Sequence, residues 1–252
     1  MGRTLVALVS LVCVAAGAAT FAPTTAVGRV VLDRPATADG WARVRQPRRP
    51  LGHLIAEVRP GRSLALHSRP FGRVVARVGS RTPFGSPRAL GVVATRHGRW
   101  LAVTEAGVDD NRIVWVDASR GGLRYARTPL ELAVDLSRRT LVVRRGHTVI
   151  RRTSIGVGRP GSPTPTGRFA VTDKLNGSDY SAAYGCCILA LSAIQPNLPA
   201  GWSGGNRVAI HGTLASSDFG RAVSAGCMHA SDADLRSLMR IVPLGTPVVI
   251  RQ

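Results

Sequence analysis

Hydrophobic and polar positions along this chain alternate in short bursts instead of recurring at helical spacing. Between about Leu54 and Ala118, runs such as Leu64–His67, Arg73–Val78, Leu90–Ala94, Trp100–Val103 and Ile113–Val116 are separated by turn formers, among them Pro83-Phe84-Gly85-Ser86-Pro87 and Asp109-Asp110-Asn111. Short β-like runs at this spacing predict the strands of a small barrel or sandwich. A second set opens near Leu132, where LAVDLSRRTLVVRRGHTVIRRTSIGVG alternates like paired strands around a turn at Arg144–Gly146. The prolines of RPGSPTPTGRFAVTDK fix an extended, turning loop before a strand at Arg168–Thr172. Strands are also expected at Arg207–Ile210 and Thr246–Arg251, with Gly177–Gly205 as a long loop-like stretch. One helix is predicted: Ser231 can cap it, Asp234 stands three residues on, and Leu235, Leu238, Met239 and Val242 keep helical spacing. The expected fold class is therefore mostly β, with a helix shortly after a cysteine at position 227.

The N-terminus breaks this pattern. MGRTLVALVSLVCVAAGAATFA joins a charge at Arg3 to an apolar run from about Leu5 to Ala19 and small residues at Ala16 and Ala18, the layout of a secretory signal. The run is short for a span of about 20 residues, which favours cleavage over an uncleaved anchor. Residues 1–22 are thus expected to be a signal peptide and 23–52, rich in Pro, Thr, Ala, Gly and Arg, a flexible basic linker. Residues 53–128 form the expected small β-barrel-like module and 129–252 the second unit. The mature chain is expected outside the cytoplasmic membrane, secreted or associated with the cell envelope.

Composition narrows what that chain can be. With 252 residues and 44% hydrophobic content it can bury a sizeable core and is not a disordered segment. The net charge of +20 comes from 34 basic against 14 acidic residues, and Lys174 is the only lysine. Such an arginine excess suits an anionic cell-wall polymer, but arginine scattered this way also simply serves solubility. No unbroken basic block stands out, and aromatics make only 5% of the chain, so a nucleic-acid groove is not expected. Oligomeric state is not legible.

Cysteines carry more information. Cys13 lies inside the expected signal, which leaves Cys186, Cys187 and Cys227, and an odd count in an oxidising compartment leaves a free thiol. Cys186 and Cys187 could form a vicinal disulfide, bond elsewhere or remain core thiols; a bond from either to Cys227 would silence that residue.

The candidate chemistry lies in AIHGT, at Ala209–Thr213, and SAGCMH, at Ser224–His229, with Cys227 following His211 by 16 residues. A thiol whose free pKa is about 8.5 needs a base or cation nearby to become a nucleophile. His211 would supply the base, and backbone N–H groups near the start of the helix could hold a thiolate or an oxyanion. Gly226 would let a substrate carbonyl approach the backbone. On these residues alone a buried histidine beside an inert thiol remains the stronger reading.

Taken with their surroundings, the two stretches resemble the catalytic signature of bacterial L,D-transpeptidases, the cysteine-dependent enzymes of peptidoglycan cross-linking. The opening strands AVDLSRRTLVVRRG, the loop Pro163-Thr-Pro-Thr-Gly167 with Phe169, Asp234 and the closing Val242-Pro-Leu-Gly-Thr-Pro-Val248 agree in order, over roughly residues 130 to 252. Upstream, LALHSRPFGRVVARV, RWLAV and RIVWVDAS resemble the small bacterial Src-homology-3-like wall modules.

The resemblance implies a catalytic domain in residues 129–252, of β-sandwich or barrel type with a helix after the catalytic cysteine. Cys227 would attack a stem tetrapeptide and release D-alanine, and the acyl group would pass to an amine of a second stem peptide. Donor and acceptor stem peptides are thus the implied partners. His211 would act as the base, Gly226 and the Cys227 N–H would line an oxyanion hole, and Ser224 would shape the turn. His229, Gly212, Thr213 and Tyr184 are candidate substrate contacts. No metal and no cofactor are implied. Two positions depart from the pattern: His229 stands where the family usually has arginine or asparagine, and Ala225 where several relatives carry histidine or a charged residue.

Other readings fit less well. Sortases place histidine and cysteine much further apart and want an arginine after the cysteine. Papain-like wall peptidases reverse the order. A zinc site from His211, Cys227 and His229 lacks paired-ligand spacing. A non-catalytic wall-binding protein with a degenerate transpeptidase domain is the alternative from a different class.

Overall fold

The structure, a computed structural model, describes residues 52–108 and 111–252. The expected signal and the expected linker up to residue 51 lie outside the described residues. The first strands are β1 (His53–Val58), β2 (Ser63–His67), β3 (Val74–Gly79), β4 (Ala89–Arg96), β5 (Trp100–Thr104), β6 (Ile113–Asp117) and β7 (Leu123–Thr128). They form one antiparallel sheet in the order β3-β2-β6-β5-β4-β1-β7. Its two edge strands, β3 and β7, do not pair with each other among the described residues, so its ladder is open. The alternation read from sequence is what builds its core: in β2, Leu64 and Leu66 point inward between less buried neighbours and pack with Val58, Leu90, Val103 and Val114.

Then follow β8 (Leu130–Asp135), β9 (Thr140–Arg145), β10 (Thr148–Ser154), β11 (Val157–Gly158), β12 (Gly167–Asn176), β13 (Cys187–Ile194), β14 (Arg207–His211), β15 (Ala222–Ser224), β16 (Met228–His229), α1 (Asp232–Ile241) and β17 (Pro247–Arg251). Eight of these strands make a second sheet in the order β10-β9-β8-β17-β12-β13-β14-β16. Strand β17 runs parallel to β8 and β16 parallel to β14. The fold is thus mostly β, with α1 as the only α-helix among the described residues.

Strand β13 corrects the loop expected over Gly177–Gly205. Every residue of CILALSAI is buried, on both faces of the strand. A strand buried on both faces carries no period-two pattern, so its apolar run gave no alternation to read. Around it Leu189, Leu191, Ile210, Met228, Leu235 and Leu238 close the second core.

Helix α1 forms as its sequence predicts. Ser231 is the N-cap, and its Oγ accepts from the Asp234 N–H at 3.2 Å and donates to the Asp234 carboxylate at 2.7 Å. Leu235 and Leu238, one turn apart, turn fully inward.

The two sheets meet where β4 and β5 approach β12 and β13. A Cβ at Gly91 would stand only 2.7 Å from that of Ala170, so glycine permits this approach. Thr104 shares a 2.8 Å hydrogen bond with Ser192. The Asn111 amide accepts from the Ile194 N–H at 2.7 Å and donates to its carbonyl at 2.8 Å. These bonds satisfy polar groups that burial would otherwise strand.

Candidate active site

Two parallel strand ends bring the histidine and the cysteine into one cavity. His211 is the last residue of β14 and pairs in register with His229 of β16, while Cys227 immediately precedes β16. All three line a cavity of about 600 Å³, together with Tyr184, Thr213 and Ser224. The fifteen residues between His211 and Cys227 include the turn at Ser216–Asp218 and β15, which pairs with β11.

His211 is buried, and its Nδ1 lies 2.6 Å from the Gly212 carbonyl oxygen. Accepting from Nδ1–H fixes that tautomer and leaves Nε2 as the basic nitrogen. Tyr184 packs edge-on against the imidazole with centroids 4.7 Å apart. Burial, reinforced by the charge of His229, pushes the His211 pKa down to about 4. The ring is therefore a neutral base at ordinary pH.

Cys227 is the one free cysteine among the described residues. Its Sγ–H donates to the Arg207 carbonyl at 3.8 Å. Burial pushes the thiol up to about 11, against a smaller opposing effect of the Ala209 backbone. Helix α1 begins at Asp232, five residues after Cys227, with Ser231 capping the Asp234 N–H. Burial also raises the Tyr184 phenol, helped by the charge of Cys227.

The turn before Cys227 is tightly held. Ser224 Oγ donates to the Cys227 carbonyl at 2.5 Å and accepts from the Gly226 N–H at 3.0 Å. The Gly226 N–H is thus engaged inside the turn. Gly226 has φ of +122°, and a Cβ there would meet Gln195 Nε2 at 2.2 Å. That amide donates to the carbonyls of Pro163 at 2.8 Å and Ala225 at 3.2 Å, while Thr164 Oγ1 donates to the Gly226 carbonyl at 2.9 Å. The proline loop therefore buttresses the cysteine turn. Gly212 has a similar packing role, since a Cβ there would stand 2.7 Å from Gly185 Cα.

His229 is tied to an acid that the sequence analysis passed over. Its Nδ1 lies 2.7 Å from Asp218 Oδ2, which also accepts from Thr213 Oγ1 at 2.8 Å. Burial alone would raise the Asp218 carboxyl, but the hydrogen bonds of Thr213 and His229 and the charges of His229 and Arg221 outweigh it and hold the carboxyl low. The His229 and His211 rings lie 4.8 Å apart. Asp218 follows His211 by seven residues, in a loop with no periodicity to mark it.

Cys186 and Cys187 form a vicinal disulfide with Cα atoms 3.7 Å apart, in place of the free core thiols or the bond to Cys227 that their spacing left open. The Cys186 N–H donates to Asp232 Oδ1 at 3.1 Å, which fastens the pair to the start of α1. No group of three or more His, Cys, Asp or Glu among the described residues could hold a metal ion.

Comparison with known proteins places these residues in context. The family model of the YkuD L,D-transpeptidase catalytic domain matches residues 129–250. The chain is similar to the putative L,D-transpeptidase YkuD of Bacillus subtilis, 30% identical over 124 residues that make up 49% of this chain and 67% of that protein. It is likewise similar to the putative L,D-transpeptidase YkuD of Bacillus licheniformis, 32% identical over 130 residues, 51% of this chain and 70% of that one. Among solved structures, L,D-transpeptidase 3 of Mycobacterium tuberculosis in complex with a faropenem-derived adduct aligns at 16% identity and a TM-score of 0.41, over 66% of this chain and 91% of that chain.

Proposed function

The chain belongs to the YkuD family of L,D-transpeptidase catalytic domains, and we propose that it is a peptidoglycan L,D-transpeptidase with Cys227 as nucleophile and His211 as base. What carries this reading is a free thiol and a neutral, buried imidazole facing one cavity from adjacent parallel strands.

With the imidazole near 4 and the thiol near 11, no thiolate–imidazolium pair exists at rest. Proton transfer from Sγ to His211 therefore accompanies attack on the carbonyl between the third stem residue and D-alanine. The Cys227 N–H stabilises the oxyanion. Collapse breaks the C–N bond, His211 returns the proton to the departing D-alanine amine, and a thioester remains on Cys227. An amine of a second stem peptide then attacks the thioester, gives its proton to His211 and displaces the thiolate, which is reprotonated. Thr213 and Asp218 hold His229 at the cavity wall, where it contacts the donor peptide; Tyr184 closes the far side of His211. No metal or organic cofactor takes part. The chain acts outside the cytoplasmic membrane, and its arginine excess favours anionic wall polymers as neighbours. No helix among the described residues is long and apolar enough to cross a membrane.

The test is incubation of the purified full chain with muropeptides that carry tetrapeptide stems. Release of D-alanine and a thioester mass on Cys227, both abolished in Cys227→Ala, are expected. No adduct, with wild type and Cys227→Ala alike, would favour a non-catalytic wall-binding protein.

A further inference from the structure

Among the exposed large hydrophobic side chains of the described residues, the three aromatic residues Phe84, Tyr180 and Trp202 line the cavity that holds Cys227. Exposures of 38%, 50% and 46% leave much of each side chain in water. Apolar surface gathered at the rim of a cavity marks a binding site more than chance exposure does.

Two of the rings are fixed as well as exposed. The Trp202 indole donates its only N–H to the Gly205 carbonyl at 2.6 Å. It also lies against Gly204, where a Cβ would come within 2.9 Å of Trp202 Cζ2, so one side of the indole rests on backbone. Phe84 comes from the other sheet, on the turn closed by Thr82 N–H to Ser86 O at 2.9 Å. Thr82 Oγ1 donates to the buried carboxylate of Asp173 on β12, and Arg81 donates to the Gly85 carbonyl at 2.6 Å. The Phe84 ring sits 5.5 Å from the Arg207 guanidinium and packs edge-on to Tyr180, centroids 6.1 Å apart. Rings held in place lose little freedom on binding, which is how a preformed site gains affinity.

We propose that Phe84, Tyr180 and Trp202 form a sugar subsite, which holds a ring of the glycan strand while its stem peptide reaches Cys227. This deepens the transpeptidase reading above and rests on it. A pyranose presents a face of C–H groups whose partial positive charge suits the negative face of an aromatic ring. Its hydroxyl and N-acetyl groups need polar partners, and Asn206 and Arg159 line the same cavity. An apolar peptide side chain would use the rings and leave those polar groups without partners. The first sheet thereby becomes part of the substrate cleft through one residue, Phe84.

The test is calorimetric titration of the full chain with the β-1,4-linked tetramer of N-acetylglucosamine, which carries no peptide. Saturable binding is expected, weakened about tenfold or more in both Trp202→Ala and Phe84→Leu, and retained in Cys227→Ala. Circular dichroism melting establishes that each variant folds; should Phe84→Leu unfold, Trp202→Ala decides. Absence of saturable binding, equal binding by both ring variants and wild type, or tighter binding of an uncharged apolar tripeptide at these rings would overturn the proposal. Failure of the transpeptidase reading shows separately, as a missing thioester while sugar binding persists.

Discussion

The Cys227 thiol lies 3.8 Å from the Arg207 carbonyl oxygen, so it rests as a hydrogen-bond donor and not as an anion. Burial, which holds its pKa near 11, outweighs the Ala209 backbone. Alkylation by iodoacetamide is then expected to be slow at pH 8, where about one thiol in a thousand is ionised, and to rise about tenfold per pH unit up to pH 10. A rate that levels off below pH 8 would contradict a buried neutral thiol.

His211 links the same burial to acid stability. Its pKa of about 4 lies below the ordinary 6.5, so the unfolded chain binds the extra proton first as pH falls. The stability it contributes is complete above pH 6.5 and is lost as pH falls to about 4; by that shift it amounts to about 3 kcal/mol. Denaturant melts from pH 7 to pH 4 should fall less steeply for His211→Gln than for wild type. Parallel slopes would show that the imidazole titrates normally in the fold.

Asp218 supports two partners at once, Thr213 and His229. Asp218→Ala leaves both without their acceptor and is expected to cost about 2 kcal/mol in chemical denaturation. The stem-peptide KM should rise more than kcat falls, because His229 loses its orientation while the His211–Gly212 bond remains. An unchanged KM would remove His229 from the donor site.

Arg207 joins the thiol, the cavity and the sheet contact. Its guanidinium lies 3.7 Å from Asp173, whose side chain is fully buried. Arg207→Met removes the ion-pair partner of that carboxylate, leaving it the Thr82 hydroxyl, and should destabilise by about 3 kcal/mol. Adding Asp173→Leu is expected to recover much of the loss; a double variant as unstable as the single one would show that the pair itself does not matter.

Gly226 tests the turn. Gly226→Ala combines a backbone at φ of +122° with a Cβ pressed to 2.2 Å from Gln195, and about 2 kcal/mol of destabilisation is expected. Shortening the neighbour in Gln195→Ala should restore only part of the stability, since the backbone strain stays. Full recovery would assign the whole effect to the clash.

The sequence alone determined what is local. Short β-like runs set between turn formers named strands such as β2, β5 and β6, and Ser231 with Leu235 and Leu238 named α1, because turn, cap and spacing are properties of neighbouring residues. AIHGT and SAGCMH marked His211 and Cys227 as candidates. Strand β13 stayed hidden because burial on both faces erases alternation. What only the tertiary structure decided is non-local: the pairing of β14 with β16 that sets His211 beside His229, the Asp218 carboxylate behind it, and the Phe84 turn brought from the other sheet. So is the packing of the turn glycine, Gly226, against Gln195, 31 residues away in the chain. Desolvation likewise depends on everything that surrounds a group, which is why the thiol near 11 and the imidazole near 4 could not be read from the residues beside them.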